Sequence, residues 1–209
     1  MVKRYAMSKE LYNLLNKIRA NYLCVVRDLA NSLEEKDLYT KNHCERVTQY
    51  SLIIAKKIGI NEEELLSLEF AGMLHDIGKI GIPNEIINKQ GTLTGEEYEV
   101  IKRHPELGYD LLKNMTFLDT SSKILLQHHE RIDGKGYPYG LEADEIDTLA
   151  KILAIADAYD AMTTVRPYRK DKLTNEQVID EFTRHKNTQF DEKIVEVFIG
   201  MLSEGEIAS

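Results

Sequence analysis

The sequence predicts an all-α domain, and three observations carry that expectation. Apolar residues recur at three- and four-residue spacing in successive segments, which is the period of a helix face. Most of the four prolines and twelve glycines fall between those segments, where chain breaks belong. No stretch alternates apolar and polar residues as a strand would, and no internal repeat is visible.

The first helix is read over Leu11 to Leu29. Its apolar residues Leu11, Leu15, Ile18, Tyr22, Val25 and Leu29 alternate steps of four and three, the spacing of a heptad seam. Fewer than three heptads are present, so packing on its own domain is the favoured expectation. Dimerisation or signal input is the alternative. A second helix is expected over Thr40 to Ile58, with Val47, Ser51, Ile54 and Ala55 on one face. Asn61 is the expected N-cap of a third, followed by Glu62, Glu63 and Glu64 in the first turn, where carboxylates meet the positive end of the helix dipole. This helix runs to His75-Asp76 and stops at Gly78. Thr94-Gly-Glu-Glu97 and Thr174-Asn-Glu-Gln177 have the form of capping boxes. Further helices are expected from His104-Pro105, from a cap at Ser121 or Ser122 to His128-His129, over Leu149 to Met162, and from Asp191 to about Leu202. Asp133 to Gly140 is dense in turn formers and is read as a loop.

At 209 residues the chain has the length of one domain. The expected division is an N-terminal helical arm over 1–29 and a domain over 30–209. The net charge of −8 argues against a nucleic-acid polymer as partner, since that requires a broad basic face. Any anionic ligand must be held locally, and Arg166-Pro-Tyr-Arg169-Lys170 is one basic cluster able to do so. No apolar run reaches about 18 residues, so no membrane span is expected. The first ten residues lack a signal-peptide core. Cys24 and Cys44 lie far apart and read as reduced cytoplasmic thiols.

Five of the six histidines fall in an ordered series with two aspartates: His43, His75-Asp76, His104, His128-His129 and Asp157. Adjacent residues on a helix diverge by about 100°, so His75 and Asp76 chelate one ion only at a helix end, which Gly78 supplies. Five imidazoles and two carboxylates exceed what one first-row ion takes. Two ions bridged by Asp76 and a hydroxide use them all. Nitrogen and carboxylate donors without thiolate suit Fe, Mn, Co or Ni, with Zn as an alternative. Such a pair beside a lysine is a phosphoester hydrolase design. Lys79 falls one turn after His75 if the helix persists, and could neutralise phosphoryl charge or protonate the leaving oxygen. A solvated lysine is the plain alternative. Arg166 and Arg169 could clamp a second phosphate. His185, the sixth histidine, has no assigned role.

These residues also carry a family resemblance. His75-Asp-Ile-Gly-Lys79-Ile-Gly81-Ile-Pro83 resembles the signature of the HD superfamily of metal-dependent phosphohydrolases. His128-His-Glu-Arg131-Ile-Asp-Gly-Lys-Gly136-Tyr137-Pro138 resembles the second signature of the HD-GYP subfamily. The segments around His43, His104-Pro-Glu106, Asp157-Ala-Tyr-Asp160, Arg166-Pro-Tyr-Arg169 and Thr188-Gln-Phe-Asp191 follow the family's order, so the match covers roughly residues 30 to 203. The resemblance implies an α-helical HD bundle and hydrolysis of cyclic di-GMP to pGpG or GMP. The metal ligands it implies are His43, His75, Asp76, His104, His128, His129 and Asp157, with Asp76 and Lys79 catalytic. Substrate contacts are implied for Lys79, Arg166, Arg169, Asp160 and the Gly136-Tyr137-Pro138 loop.

Members usually hold iron or manganese. Tyr39 stands where three-metal members place a glutamate, so two ions are expected, although nearby Asp37 could compensate for a third. The resemblance implies GGDEF-domain proteins as partners, and the heptad spacing of the N-terminal helix leaves a homodimer through it as an alternative. A non-catalytic module binding cyclic di-GMP or a GGDEF protein, and an HD phosphohydrolase acting on another nucleotide, are the competing expectations. The chain is read as a stand-alone enzyme or an excised domain.

Overall fold

The structure is a computed structural model that describes residues 17–18, 21–30, 42–164 and 172–207. The expectations for Asp37, Tyr39, Arg166 and Arg169 lie outside the described residues. Helix α1 covers 21–30. It is followed by α2 (His43–Lys57), α3 (Glu62–Leu74), a 3-10 turn (Ile77–Gly81), α4 (Asn84–Ile87), α5 (Gly95–Ile101) and α6 (His104–Leu112). A second 3-10 turn (Thr116–Leu118) leads into α7 (Asp119–Leu126), and α8 (Thr148–Thr163), α9 (Asn175–His185) and α10 (Glu192–Glu204) complete the order. Among the described residues only two isolated β-bridges occur, Asp133 with Glu142 and Lys186 with Phe190. The expected all-α class is therefore observed.

The helix starts follow local chemistry. Asn61 accepts from the backbone N–H groups of Glu63 and Glu64, and Asp191 does the same for Lys193 and Ile194. Both expected capping boxes are closed, Thr94 with Glu97 and Thr174 with Gln177. These bonds satisfy donors that a helix N-terminus leaves unpaired. One expected cap is not observed. Ser121 and Ser122 lie buried inside α7, where Ser121 Oγ donates to the Ser67 carbonyl at 2.9 Å. Helix α7 begins earlier, at Asp119, because the preceding 3-10 turn already sets its direction.

Helix α8 is the axis of the core. Ile152, Leu153, Ile155, Ala156 and Tyr159 are fully buried among Val47 and Ile54 of α2, Leu68 of α3, Phe182 of α9 and Phe198 of α10. A helix apolar on most sides fits only where neighbours enclose it. A second cluster joins Phe70, Met73 and Leu74 of α3 to Ile77, Leu112 and Leu125. Helix α1 docks on that cluster. It buries Val26 and Ala30, while the heptad residues Ile18, Tyr22, Val25 and Leu29 are 41–57% exposed. The expected packing of this helix on its own domain is observed, through Val26 and Ala30 and through Tyr22, whose ring lies 4.6 Å from that of Phe117 between centroids, while Val25 and Leu29 of the heptad set stay exposed.

The 3-10 turn after α3 is wedged against α6. A Cβ on Gly78 would lie 1.9 Å from the His104 carbonyl oxygen and 2.5 Å from the Gly108 nitrogen. Only glycine permits that approach, and both neighbours are backbone that cannot swing aside. Replacing Gly78 with Ala is expected to cost at least about 1–3 kcal/mol as an overpacking defect. The melting temperature should fall by several degrees. Unchanged thermal unfolding of Gly78→Ala by circular dichroism would contradict this packing.

Candidate metal centre

Three histidines reach the centre by the same local device. His75 follows the end of α3, and its ring Nδ1 donates to the Gly72 carbonyl at 2.7 Å. His104 Nδ1 donates to Ile101 O, the last residue of α5, at 2.8 Å. His128 Nδ1 donates to Leu125 O near the end of α7 at 2.5 Å. Each ring caps a carbonyl three residues back, and such carbonyls at helix ends lack partners within the helix. The bond places the proton on Nδ1 and leaves the Nε2 lone pair facing inward, as a metal ligand requires.

The Nε2 atoms converge in two groups. His43 and His75 approach at 3.2 Å, with Asp157 Oδ1 3.3 Å from His43 Nε2. His104 and His128 approach at 3.3 Å, and His129 completes that group. Two nitrogens each about 2.0–2.1 Å from one ion stand roughly 3.0–3.4 Å apart. Two imidazole nitrogens facing each other at this distance need a proton or a metal cation between them, and the spacing and donor types fit a metal in each group.

Asp76 lies between the groups. Its Oδ1 is 3.6 Å from His104 Nε2, while Oδ2 is 3.6 Å from His75 Nε2 and 3.8 Å from His43 Nε2. Lys79 Nζ stands 2.7 Å from Oδ2. The helix does not continue through Gly78, so Lys79 relates to Asp76 and not to His75 as expected. In a 3-10 turn residues i and i+3 eclipse, which sets the ammonium beside the carboxylate.

The two halves differ electrostatically. Burial acts to lower the His43 pKa, but hydrogen bonds to Asp157 and Asp160, with the field of Asp76, outweigh it and raise the value to about 9. On the other side burial and the neighbouring His129 hold His104 down to about 3. Burial likewise pushes His128 well below its usual value and His129 to about 4. Burial alone would raise Asp76, yet the Lys79 ammonium and the surrounding imidazoles hold it well below the carboxylate range. Asp157 is held down in the same way, chiefly by His43.

A cavity of about 540 Å³ opens beside this centre, and its lining joins His128, His129 and Asp157 to Arg131, Lys135 and Gln189. The loop after α7 forms part of its wall. Glu130 is buried, and its carboxylate accepts from Tyr139 N at 2.7 Å and Leu141 N at 3.0 Å. A Cβ on Gly136 would fall 2.3 Å from Arg131 N, so this glycine allows the loop to fold back. Tyr137 then stacks on His129, with centroids 4.7 Å apart and planes at 30°.

The family model for the HD domain matches residues 25–194.

The chain belongs to the HD domain family.

Its relatives include a cyclic di-GMP phosphodiesterase of Thermotoga maritima, 40% identical over 187 residues, covering 88% of this chain and 50% of that protein. A 3'3'-cGAMP-specific phosphodiesterase 2 of Vibrio cholerae is 35% identical over 192 residues, covering 91% and 37%. The HD domain chain thus spans about half or less of the length of these curated relatives. The solved structure of Bd1817, a HDG"Y"P protein from Bdellovibrio bacteriovorus, shares the fold, with a TM-score of 0.65, 22% identity, and coverage of 93% of this chain and 64% of that one.

The HD domain brings together all seven side chains expected as ligands, with Lys79 beside them. It sets others apart from the cavity. Asp160, expected at the substrate, is buried behind His43: its Oδ2 accepts from His43 Nδ1 at 2.7 Å, and Arg46 holds it through Nε at 2.5 Å and Nη2 at 3.0 Å. A carboxylate enclosed this way orients an imidazole and has no face open to a ligand. Pro138 is not among the residues lining the cavity, whereas Gly136 and Tyr137 are. Sequence reasoning gave no role to Arg46, Glu130 or Gln189. Arg46 had one local signal, its position three residues after His43.

Proposed function

We propose that this HD domain is a metal-dependent phosphodiesterase acting on cyclic di-GMP. One observation carries the reading: two histidine-rich ligand groups share Asp76, stand beside Lys79 and open onto a cavity of about 540 Å³. His43, His75 and Asp157 would hold one divalent ion, His104, His128 and His129 the other, and Asp76 both. Bound ions would supply Lewis-acid activation of water and of the phosphoryl oxygens. Iron or manganese suits these nitrogen and carboxylate donors.

The chain's own residues do the rest. Asp160 and the three helix-end carbonyls fix the imidazoles before any ion arrives, so little reorganisation is needed. Lys79 places a positive charge beside Asp76, where it would either neutralise phosphoryl charge or give a proton to the leaving oxygen. Tyr137, stacked on His129, closes one side of the cavity. In a protein of net charge −8 these local cations are what favour an anionic diester.

The decisive experiment loads anaerobically purified protein with Fe(II) or Mn(II) and follows cyclic di-GMP by chromatography. Formation of pGpG or GMP is the expected result. Bound but intact ligand would point to a non-catalytic module, and a clear preference for a nucleoside triphosphate to a different phosphohydrolase.

A homodimer through α1 is part of the same reading, supported by the exposed heptad residues Ile18, Tyr22, Val25 and Leu29. Val25→Glu places a charge in that seam and should shift sedimentation toward monomer. An unaltered sedimentation coefficient would remove α1 from the interface.

A further inference from the structure

We infer that Glu130 is a positioning residue for the ion of the His104, His128 and His129 group, acting through the loop that follows it and through Tyr137. The inference rests on the two-ion reading of the centre. It gives a task to a buried carboxylate that the proposed chemistry does not use.

His129 is the exception among the five candidate imidazoles. The other four each have a polar partner that fixes the ring: Asp160 for His43, and the carbonyls of Gly72, Ile101 and Leu125 for His75, His104 and His128. Among the described residues nothing hydrogen-bonds the His129 ring. It is held by other rings, His128 at 3.9 Å and His104 at 5.0 Å between centroids, and Tyr137 at 4.7 Å with planes at 30°. Of these three only Tyr137 comes from outside the ligand group. A metal-binding imidazole ordinarily takes its orientation from a hydrogen bond at its second nitrogen. Here a flat aromatic contact stands in that place.

Tyr137 is set in turn by Glu130. Glu130 is 4% exposed and enters no ion pair among the described residues. A buried carboxylate needs partners, and both oxygens find them in the backbone: Oε1 accepts from Tyr139 N at 2.7 Å and Oε2 from Leu141 N at 3.0 Å. The chain leaves Glu130, turns at Gly134 with φ +70°, and returns so that Tyr137 N donates to His129 O at 3.2 Å. Glu130 thus closes a loop of which Tyr137 is a member. The side chain that follows His129 in sequence decides where the ring against His129 lies. The other ligand group has no such dependence, because Asp160, clamped by Arg46, backs His43.

The test is a manganese(II) titration of the metal-free protein, with the free ion followed by electron paramagnetic resonance. The unaltered protein should take up two equivalents. In Glu130→Ala and in Tyr137→Ala one equivalent should keep its Kd and the other should weaken roughly ten- to a hundredfold, the scale for losing the support of a metal-bound imidazole. Tyr137→Phe should keep both, since a phenyl ring stacks as a phenol does. A role in folding alone would weaken both equivalents alike and would not be rescued by phenylalanine. If Glu130→Ala fails to fold, Tyr137→Ala decides, because it leaves the backbone bonds of the loop in place. Two unchanged equivalents in Tyr137→Ala, equal weakening of both, or a loss in Tyr137→Phe as large as in Tyr137→Ala would overturn the inference. The titration needs no cyclic dinucleotide, so absent hydrolysis would remove the phosphodiesterase reading and leave this one to the metal data. Uptake of fewer than two ions by the unaltered protein would remove the two-ion reading and this inference with it.

Discussion

Asp76→Ala should abolish hydrolysis and empty the centre. Asp76 faces both ligand groups with its two carboxylate oxygens, Oδ1 at 3.6 Å from His104 and Oδ2 at 3.6 Å from His75. Alanine leaves each group with three donors and none in common, so two ions would no longer be held at a fixed separation. It also removes the carboxylate that balances Lys79 at 2.7 Å. A cation site that loses a carboxylate beside an ammonium binds divalent metal less well. The expected outcome is a fall in kcat of roughly three orders of magnitude or more, as for other centres whose parts act as a unit. Metal content measured after dialysis should drop from two equivalents to below one. The turn itself should survive, because the backbone bond from Lys79 N to Asp76 O does not use the side chain. Circular dichroism therefore separates a lost centre from a lost fold. Asp76→Asn keeps the shape without the charge and should retain part of the metal but little of the activity. Two tightly held equivalents in Asp76→Ala would rule out the bridging role.

What the sequence disclosed and what it hid divide along the range of the interactions. The caps at Asn61, Thr94, Thr174 and Asp191 were legible because each pairs a side chain with a backbone group two or three residues away. The helix end at His75-Asp76 was legible through Gly78. The carboxylate behind His43 was not, since Asp160 lies 117 residues further on and a short polar residue on a buried helix has several possible partners. The heptad face of α1 shows a second limit. Periodicity finds an apolar stripe but not which neighbour covers it, and the core took Val26 and Ala30 beside it. Lys79 shows a third, because a change from α to 3-10 geometry moves its partner from His75 to Asp76. The bond from Arg131 to Gln189 spans 58 residues, and no local pattern announces it.

Lys79→Ala should separate catalysis from metal binding in a way that no ligand substitution can. Lys79 donates no lone pair, so the seven candidate ligands stay in place when it is shortened. Its ammonium lies against Asp76 Oδ2, and removing it frees that oxygen and lowers the positive charge near both groups. Two equivalents of metal should therefore remain, with a Kd equal to or tighter than that of the unaltered protein. Turnover should fall about 10²–10⁴-fold, the usual scale for a group that transfers a proton or stabilises charge in the transition state. The loss should appear in kcat, because such a group acts on the transition state more than on the bound substrate. Lys79→Arg retains the charge but spreads it over a planar fork that delivers no proton, so it divides the two roles left open for this lysine. Recovery of most of the activity in Lys79→Arg would assign charge stabilisation, and failure to recover it would assign proton delivery to the leaving oxygen. A metal-free Lys79→Ala protein with an intact circular dichroism spectrum would instead make Lys79 part of the framework that holds Asp76, and the catalytic role would be withdrawn.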